Sequence, residues 1–319
     1  MTIGNKNIAS VSLDLDNQWS YMKIHGDSGW EKFPSYFDRF IPHVLDLLNQ
    51  LNLKITFFIV GQDAALEKNE EYLSQIVKHG HEVGNHSFHH ESWLHLYQKE
   101  KIRDEILTAE KHIENVTGKK PNGFRGPGFS WSKNLIEVLS ELGYDYDAST
   151  LPTFIGPFAR FYYFRTAKLT PEEKKERKKL FGSFKDGFRS VKPYFWKFDG
   201  VKELLEIPVT TIPFIKTPFH LSYLIYLNNI SPLLMKLYLS TAITFCKMTK
   251  TSPSFLLHPL DLIGGDMVPE LSFFPGMNVN SGKKTELFIK VINQLSYNFE
   301  LVNMSFHARL FKNNSHQQA

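Results

Sequence analysis

This sequence contains a single cysteine, Cys246, so no disulfide bond can form within one chain. The fold must therefore depend on a hydrophobic core, and 42% hydrophobic residues in a chain of 319 supply one. The first ten residues also lack the apolar stretch of a signal peptide. We therefore expect a protein that is made and kept in the cytoplasm.

A long, uninterrupted apolar run is missing as well. Residues 214–249 are rich in leucine, isoleucine and aromatic side chains, but asparagines, a proline and a lysine interrupt them. This composition argues against a clean membrane-spanning helix. It leaves two alternatives, namely helices that lie at the membrane surface or form a groove for a lipid tail, and a buried helical hairpin.

The net charge of +4 is unevenly distributed along the chain. Residues 160–202 contain 13 Lys or Arg against 5 Asp or Glu, together with 11 aromatic residues. Basic side chains attract anionic lipid headgroups, and aromatic rings suit the membrane interface. We expect peripheral contact with an anionic membrane there, with a solvated loop as the alternative, and no nucleic-acid partner.

Strand and helix patterns alternate over the first 120 residues. Strand patterns cover residues 8–16 and 54–61, and a short strand follows the glycine turn at Gly80. Helical periodicity predicts helices over residues 34–50, 69–79 and 95–117. The alternation predicts an α/β fold with a parallel sheet, in which the C-terminal ends of the strands share the face where active sites lie.

Four side chains expected at that face are suited to bind a metal. His86 and His90 are four residues apart, which on a helix places both imidazoles on one side. Asp14 and Asp16 point to the same side of the end of the first strand. Because carboxylates this close repel each other unless a cation lies between them, we expect one to bind metal. A catalytic metal site needs three protein ligands and an open position for water.

The motifs around these residues resemble those of the polysaccharide deacetylase family, also called the NodB-homology or carbohydrate esterase family four. The resemblance covers residues 8–150 and 203–305. It implies a distorted (β/α) barrel, here a single catalytic domain over residues 1–319 with helical, aromatic-rich insertions at about 151–202 and 214–249. The motifs are Ser12-Leu13-Asp14-Leu15-Asp16, His86-Ser87-Phe88-His89-His90, Arg125-Gly126-Pro127-Gly128-Phe129 and Leu256-Leu257-His258.

The family resemblance also implies a role for each site residue. Asp16, His86 and His90 would bind the metal, with zinc as the first expectation and cobalt, manganese or iron as alternatives. Asp14 would be the general base, and Arg125 would orient it. His258 would be the general acid, with the carboxylate of Asp147 behind it. The backbone amide of Gly128 would bind the oxyanion.

Two departures from the family pattern leave questions open. The first-motif acids are usually adjacent, whereas Leu15 separates them here, so the roles of Asp14 and Asp16 could be exchanged. Pro259 follows His258 where an aspartate is common, which leaves the partner of that ring undetermined.

The implied activity is metal-dependent hydrolysis of an N-acetyl or N-formyl group from an amino sugar. Because we expect a cytoplasmic protein with an apolar and basic insertion, we also expect a lipid-linked substrate at the inner face of the membrane. The alternatives are hydrolysis of a small non-sugar amide, as in the allantoinase-like branch of the family, and a non-catalytic module that binds sugar or lipid.

Overall fold

The computed structural model describes residues 2–3, 6–156 and 183–316. Within these ranges the strands form one ten-stranded, mostly parallel sheet, as the alternating pattern predicts. The strands are β1 (Thr2–Ile3), β2 (Lys6–Leu15), β3 (Thr56–Ile59), β4 (Glu82–Asn85), β5 (Gly123–Phe124), β6 (Tyr146–Asp147), β7 (Tyr194–Trp196), β8 (Leu204–Glu206), β9 (Ser254–Leu257) and β10 (Phe299–Val302).

The long strand β2 organises the sheet. It pairs in parallel with β3, β9 and β10, and in antiparallel with β1. Beyond β3 the order continues through β4, β5, β6 and β8 to β7. Because β2, β3, β4, β5, β6, β8 and β9 run in parallel, their C-terminal ends lie at one face.

The sheet curves until β8 approaches β9, although the two strands form no regular ladder. Thr210, beyond the end of β8, donates its backbone N–H to the carbonyl of Ser254 over 3.1 Å. In return, the backbone N–H of Ser254 donates to Thr210 Oγ1 over 2.8 Å. These two hydrogen bonds join the ends of the sheet. A barrel closed by one bonded pair of residues agrees with the distorted form that the family resemblance implies.

Helices cover the outside of the sheet, and their buried faces follow the helical periodicity of the sequence. In the second helix Phe37, Phe40, Ile41 and Val44 are fully buried at this spacing. The helices are α1 (Gln18–His25), α2 (Phe37–Gln50), α3 (Gly61–Ala64), α4 (Glu67–Lys78), α5 (Lys99–Thr117), α6 (Lys133–Glu141), α7 (Leu221–Ile230), α8 (Pro232–Met248), α9 (Ser281–Asn298) and α10 (Met304–His316).

The predicted helices agree with the observed ones to within a few residues. Helix α5 ends at Gly118, whose φ of 67° is the left-handed conformation that glycine adopts without strain. Helix α10 continues past Asn313 as far as His316.

Part of the predicted first insertion, residues 157–182 with its charge run at 172–179, lies outside the described residues. Its described remainder contributes to the sheet, since β7 pairs in antiparallel with β8. The second predicted insertion forms the hairpin of α7 and α8. In the described part of the chain, no helix has both the length and the apolar character needed to cross a membrane.

Candidate metal centre and active site

The strand β2 delivers the two carboxylates to the C-terminal face of the sheet. Asp14 is the last residue but one of the strand, and Asp16 is the first residue after it. Both side chains are buried. The backbone N–H of Asp16 bonds to the carbonyl of Asp14 over 2.9 Å, so the chain turns sharply between them.

The two histidines do not lie on a helix, contrary to the prediction from their spacing. They lie in an irregular loop after β4, in which Ser87 and His90 have positive φ values of 62° and 53°. Side chains hold this loop from outside. Asn85 Oδ1 accepts the N–H of Ser87 over 2.9 Å, and Glu105 Oε2 accepts the N–H groups of Phe88 and His89 over 3.1 Å each.

The loop nevertheless brings both imidazoles to Asp16. His86 Nε2 lies 3.6 Å and His90 Nε2 lies 2.9 Å from Asp16 Oδ1. One ligand atom from each of the three residues lies within 4.8 Å of the others, and all three side chains are buried. A metal bound at about 2.0–2.1 Å to each tetrahedral ligand separates those ligands by roughly 3.3 Å. The two distances from Asp16 Oδ1 lie on either side of that separation, so a small movement of the side chains would suit a metal.

The hydrogen bonds of these three residues also fit a metal. His86 Nδ1 donates to the Arg125 carbonyl over 2.6 Å, which fixes the tautomer and leaves the Nε2 lone pair free to bind metal. Asp16 Oδ1 is buried, and no described residue donates a well-aligned hydrogen bond to it. Burial raises the pKa of Asp16, but the neighbouring imidazoles of His90 and His86 outweigh burial and hold that pKa below its usual range. The carboxylate is therefore ionised and oriented toward the two imidazole nitrogens.

Asp14 has a different partner. Arg125, which is fully buried, donates from Nη1 to Asp14 Oδ1 over 2.7 Å and to Ser12 Oγ over 2.9 Å. Its Nε donates to the carbonyl of Ala148 over 3.0 Å, and its guanidinium lies 4.4 Å from the ring centroid of Phe58. These contacts fix one orientation of the guanidinium. They favour the ligand role for Asp16 and the base role for Asp14 over the exchanged assignment.

His258 follows β9 and lies next to Asp261. The distance from His258 Nδ1 to Asp261 Oδ2 is 3.8 Å, and the same carboxylate oxygen accepts the backbone N–H of His258 over 2.9 Å. Burial lowers the pKa of His258, but the nearby Asp261 carboxylate, with the charges of Asp14 and Asp16, raises it to about 9. The ring therefore carries a proton at neutral pH, as a general acid must.

Comparison with known proteins adds independent evidence. A family model described as polysaccharide deacetylase matches residues 24–146. Over this range the chain is similar to the polysaccharide deacetylase family. The matched range contains His86, His90 and Arg125, whereas Asp14, Asp16 and His258 lie outside it.

Two curated relatives illustrate how far the similarity to the polysaccharide deacetylases extends. The chain is 32% identical over 134 residues to a peptidoglycan-N-acetylglucosamine deacetylase of Bacillus cereus, which is 42% of this chain and 58% of that protein. It is 32% identical over 118 residues to a peptidoglycan deacetylase of Helicobacter pylori, which is 37% of this chain and 39% of that protein. The chain thus matches less than two thirds of the length of either relative.

A solved structure supports the predicted fold class over nearly the whole chain. A Mycobacterium smegmatis protein that carries a polysaccharide deacetylase name superposes with a TM-score of 0.62. The superposition covers 99% of this chain and 94% of that one at 17% sequence identity. The predicted fold class, a distorted α/β barrel, is confirmed.

Asp147, predicted to back the acidic histidine, lies beside other partners. Its Oδ1 accepts the hydroxyl of Ser149 over 2.5 Å, and its carboxyl group lies against that of Glu206. Burial raises the pKa of Glu206 first, and the neighbouring charge of Asp147 raises it further, so the pair shares a proton. The carboxylate at His258 is instead Asp261, three residues along the chain.

Gly128 lies in the loop after β5, exposed and with a φ of 61°. A Cβ at this position would lie 3.0 Å from Ser92 Cβ, so both conformation and space favour glycine. Its backbone amide stays a predicted oxyanion donor.

Sequence reasoning missed two buried groups near the centre. Asp63 Oδ1 accepts hydrogen bonds from Asn17 Nδ2 over 2.7 Å and from Trp19 Nε1 over 2.9 Å, and burial raises the pKa of Asp63 to about 7. His220 lies 6.0 Å from His258 between ring centroids. Neither residue belongs to a recognisable motif, so the sequence carries no signal for them.

Proposed function

We propose that this protein is a metal-dependent hydrolase that removes an N-acyl group from an amino sugar. The observation that carries the proposal is the separation of two carboxylates into two environments. Asp16 faces two imidazole nitrogens, whereas Asp14 is paired with Arg125. Hydrolysis of an amide by a metal-activated water needs one carboxylate that binds the metal and a second that accepts a proton from the water.

Asp16, His86 and His90 would hold the divalent metal. When bound there, it would supply Lewis acidity and lower the pKa of a water ligand toward neutrality. Zinc is the first expectation for this mixed nitrogen and oxygen set, and cobalt, manganese and iron(II) suit the same ligands. Removal of the metal should therefore stop turnover.

The remaining groups move protons. Asp14 takes the proton of the attacking water, contributing about 10²–10⁴-fold. Arg125 keeps that carboxylate ionised and aimed through their 2.7 Å contact. His258 gives its proton to the nitrogen of the leaving amine. The proton is needed because this nitrogen is a poor leaving group as an anion. The backbone amide of Gly128 is assigned to the developing oxyanion, where one donor contributes about 3 kcal/mol.

This set of groups favours an enzyme over a non-catalytic binding module. A module that only binds sugar has no need for Arg125 to be buried against Asp14, or for His258 to keep a proton at neutral pH. The sugar substrate is favoured over a small amide by the names of the two curated relatives, both peptidoglycan deacetylases. The test is release of acetate or formate from a panel of N-acetyl and N-formyl amino sugars, free and lipid-linked, with allantoin as the non-sugar amide.

A lipid-linked substrate is the finer proposal, and the hairpin of α7 and α8 supports it. One side of the hairpin is buried, while its other side exposes large apolar side chains. Residues 207–260, which include the hairpin, contain four lysines and no acidic residue. This combination suits the surface of an anionic membrane. The exposed side chains are Tyr226 (66%), Ile230 (59%), Leu233 (65%), Leu234 (42%), Leu237 (58%) and Met248 (69%).

The hairpin is also connected to the proposed active site. Helix α7 begins directly after His220, near His258, and ends at the exposed Ile230. Ten residues of helix span about 15 Å. A sugar attached to a membrane lipid would therefore have a short path from the apolar surface to the metal. Location at the inner face of a membrane stays a prediction.

A further inference from the structure

His220 is a buried histidine at the edge of the proposed active site with no assigned role. It immediately precedes α7, and its side chain is 7% exposed. Its ring lies 6.0 Å from that of His258 between centroids, at an angle of 61°. Among the described residues, neither ring nitrogen of His220 has a hydrogen-bond partner.

Such an arrangement is unfavourable for folding alone. A buried donor or acceptor without a partner costs more than the hydrogen bond would contribute, and native proteins pair nearly all such groups. A phenylalanine or leucine would fill the same space without this cost. A histidine with both nitrogens unpaired, next to the proton donor of the reaction, therefore indicates a partner that arrives with the substrate.

The charge state of His220 narrows the kind of partner. Burial is the main cause that lowers the pKa of His220, and the neighbouring charge of His258 lowers it further. Asp261 and Asp14 act in the opposite direction, and the resulting pKa is about 4. The imidazole is therefore neutral at physiological pH and offers one N–H donor and one nitrogen acceptor. A hydroxyl group, which also donates one hydrogen bond and accepts others, is the complementary ligand.

We propose that His220 is a substrate-binding residue that hydrogen-bonds a hydroxyl group of the amino sugar beside the acylamido group. The inference rests on the proposed function, because it assumes that a sugar occupies the site next to His258. It adds a specificity determinant, since a small amide whose only polar group is bound at the reaction centre has no second group to pair with the ring. The site then discriminates against small non-sugar amides by leaving His220 unpaired.

The test compares binding and turnover in four proteins. Wild type, His220→Phe, His220→Gln and the control His307→Phe are titrated with N-acetylchitotetraose by calorimetry, and acetate release from this probe is measured in the same samples. A second probe, 4-nitroacetanilide, carries an amide but no hydroxyl group. Thermal melting is recorded for each protein.

His307 is a matched control because it is another fully buried histidine. Its Nδ1 bonds to Ser10 Oγ over 2.8 Å, whereas Nε2 has no partner among the described residues. Ser10 precedes Asp14 by four residues, or about 13 Å along the strand. His307→Phe leaves the Ser10 hydroxyl unpaired, so we expect it to lower the melting temperature without changing affinity for N-acetylchitotetraose.

For His220→Phe we expect the reverse pattern. Affinity for N-acetylchitotetraose falls about tenfold, as loss of one uncharged hydrogen bond predicts, while the melting temperature is unchanged or higher. Any reaction with 4-nitroacetanilide falls by a smaller factor than turnover of the sugar. His220→Gln, which keeps a donor and an acceptor, restores most of the affinity.

Three results would overturn the role of His220: no binding of the sugar by wild type, unchanged affinity in His220→Phe, or equal losses for both probes together with a lower melting temperature. Failure of the proposed function is a separate result. It would be seen as sugar binding by wild type without acetate release, and the affinities of the variants would then still decide the role of His220.

Discussion

Arg125 and Asp14, which approach each other from β5 and β2, form a buried ion pair with 2.7 Å between Nη1 and Oδ1. Neither side chain is more than 6% exposed. Their separation along the sequence is 111 residues, so the pair exists only in the folded protein. It holds the proposed base beside the proposed metal ligand Asp16 without joining the two carboxylates.

Replacement of Asp14 should separate catalysis from metal binding. We expect Asp14→Asn to lower kcat by about 10²–10⁴-fold, because the amide cannot accept the proton of the attacking water. Bound metal should stay nearly unchanged, since Asp16 and the two histidines are intact. Acetate release measures the loss of kcat, and metal analysis of the same variant measures the bound metal. Simultaneous loss of metal and activity would refute the division of roles.

The ion pair should also show strong coupling in stability measurements. Arg125→Met leaves the Asp14 carboxylate buried without its partner, so we expect a loss of about 3–5 kcal/mol in the free energy of unfolding. Asp14→Leu combined with Arg125→Met removes both charges and should recover much of that loss, while activity stays absent. Urea unfolding of the single and double variants measures the coupling, and additive losses would show that the pair contributes nothing specific.

The pH dependence of turnover should report His258. Its pKa is raised to about 9 by Asp261 and the nearby carboxylates, so the ring keeps its proton until the pH rises through that region. Asp261→Asn removes the main raising influence and leaves burial, which lowers the pKa. We therefore expect the alkaline limb of kcat/KM to move to lower pH by at least about one unit.

A bound divalent cation near Asp16 would itself lower the pKa of His258, so the alkaline limb of the wild type should lie at or below pH 9. The comparison of wild type with Asp261→Asn is free of this effect, since both bind the same metal. An unshifted limb in the variant would mean that His258 is not the group that titrates.

The exposed side of the α7–α8 hairpin should decide membrane binding. We expect wild type to sediment with liposomes that contain anionic lipid at low salt, and Leu233→Glu with Leu237→Glu to prevent this by placing two charges on the apolar surface. The matched control, Asn49→Glu with Asn122→Glu, adds the same charge at exposed positions elsewhere. Equal sedimentation of both double variants would exclude the hairpin as the contact.

The sequence was sufficient to predict the elements of the barrel because their signals are local. In α2, apolar side chains recur at helical spacing and are all buried, and in β3 a continuous apolar run forms a strand buried throughout. The acids at the end of β2 and the histidine at the end of β9 then share a face, because parallel strands place their C-terminal ends together.

The loop of His86 and His90 could not be predicted from spacing. A separation of four residues favours a helix, but Asn85 and Glu105 bind the loop backbone and stabilise positive φ values at Ser87 and His90. Glu105 lies on α5, and nothing near His90 in the sequence indicates that contact. The sequence therefore selected three residues that the fold brings together, but through an incorrect local structure.

The partners of the acidic histidine show the same limitation. Asp147 matches a family motif only by its place in the sequence, and folding places it against Glu206 rather than His258. Asp261 and His220 reach His258 through the turn after β9 and the start of α7. Such neighbours depend on how separate segments pack, which periodicity does not encode.

The most direct test is the divalent metal content of protein purified without chelator, measured for wild type and Asp16→Ala by mass spectrometry of the elements. The expected result is about one transition-metal ion per chain in wild type, as for a site of three protein ligands, and loss of that ion in the variant. Wild type without metal, or a variant that retains as much metal as wild type, would contradict the assignment of Asp16, His86 and His90.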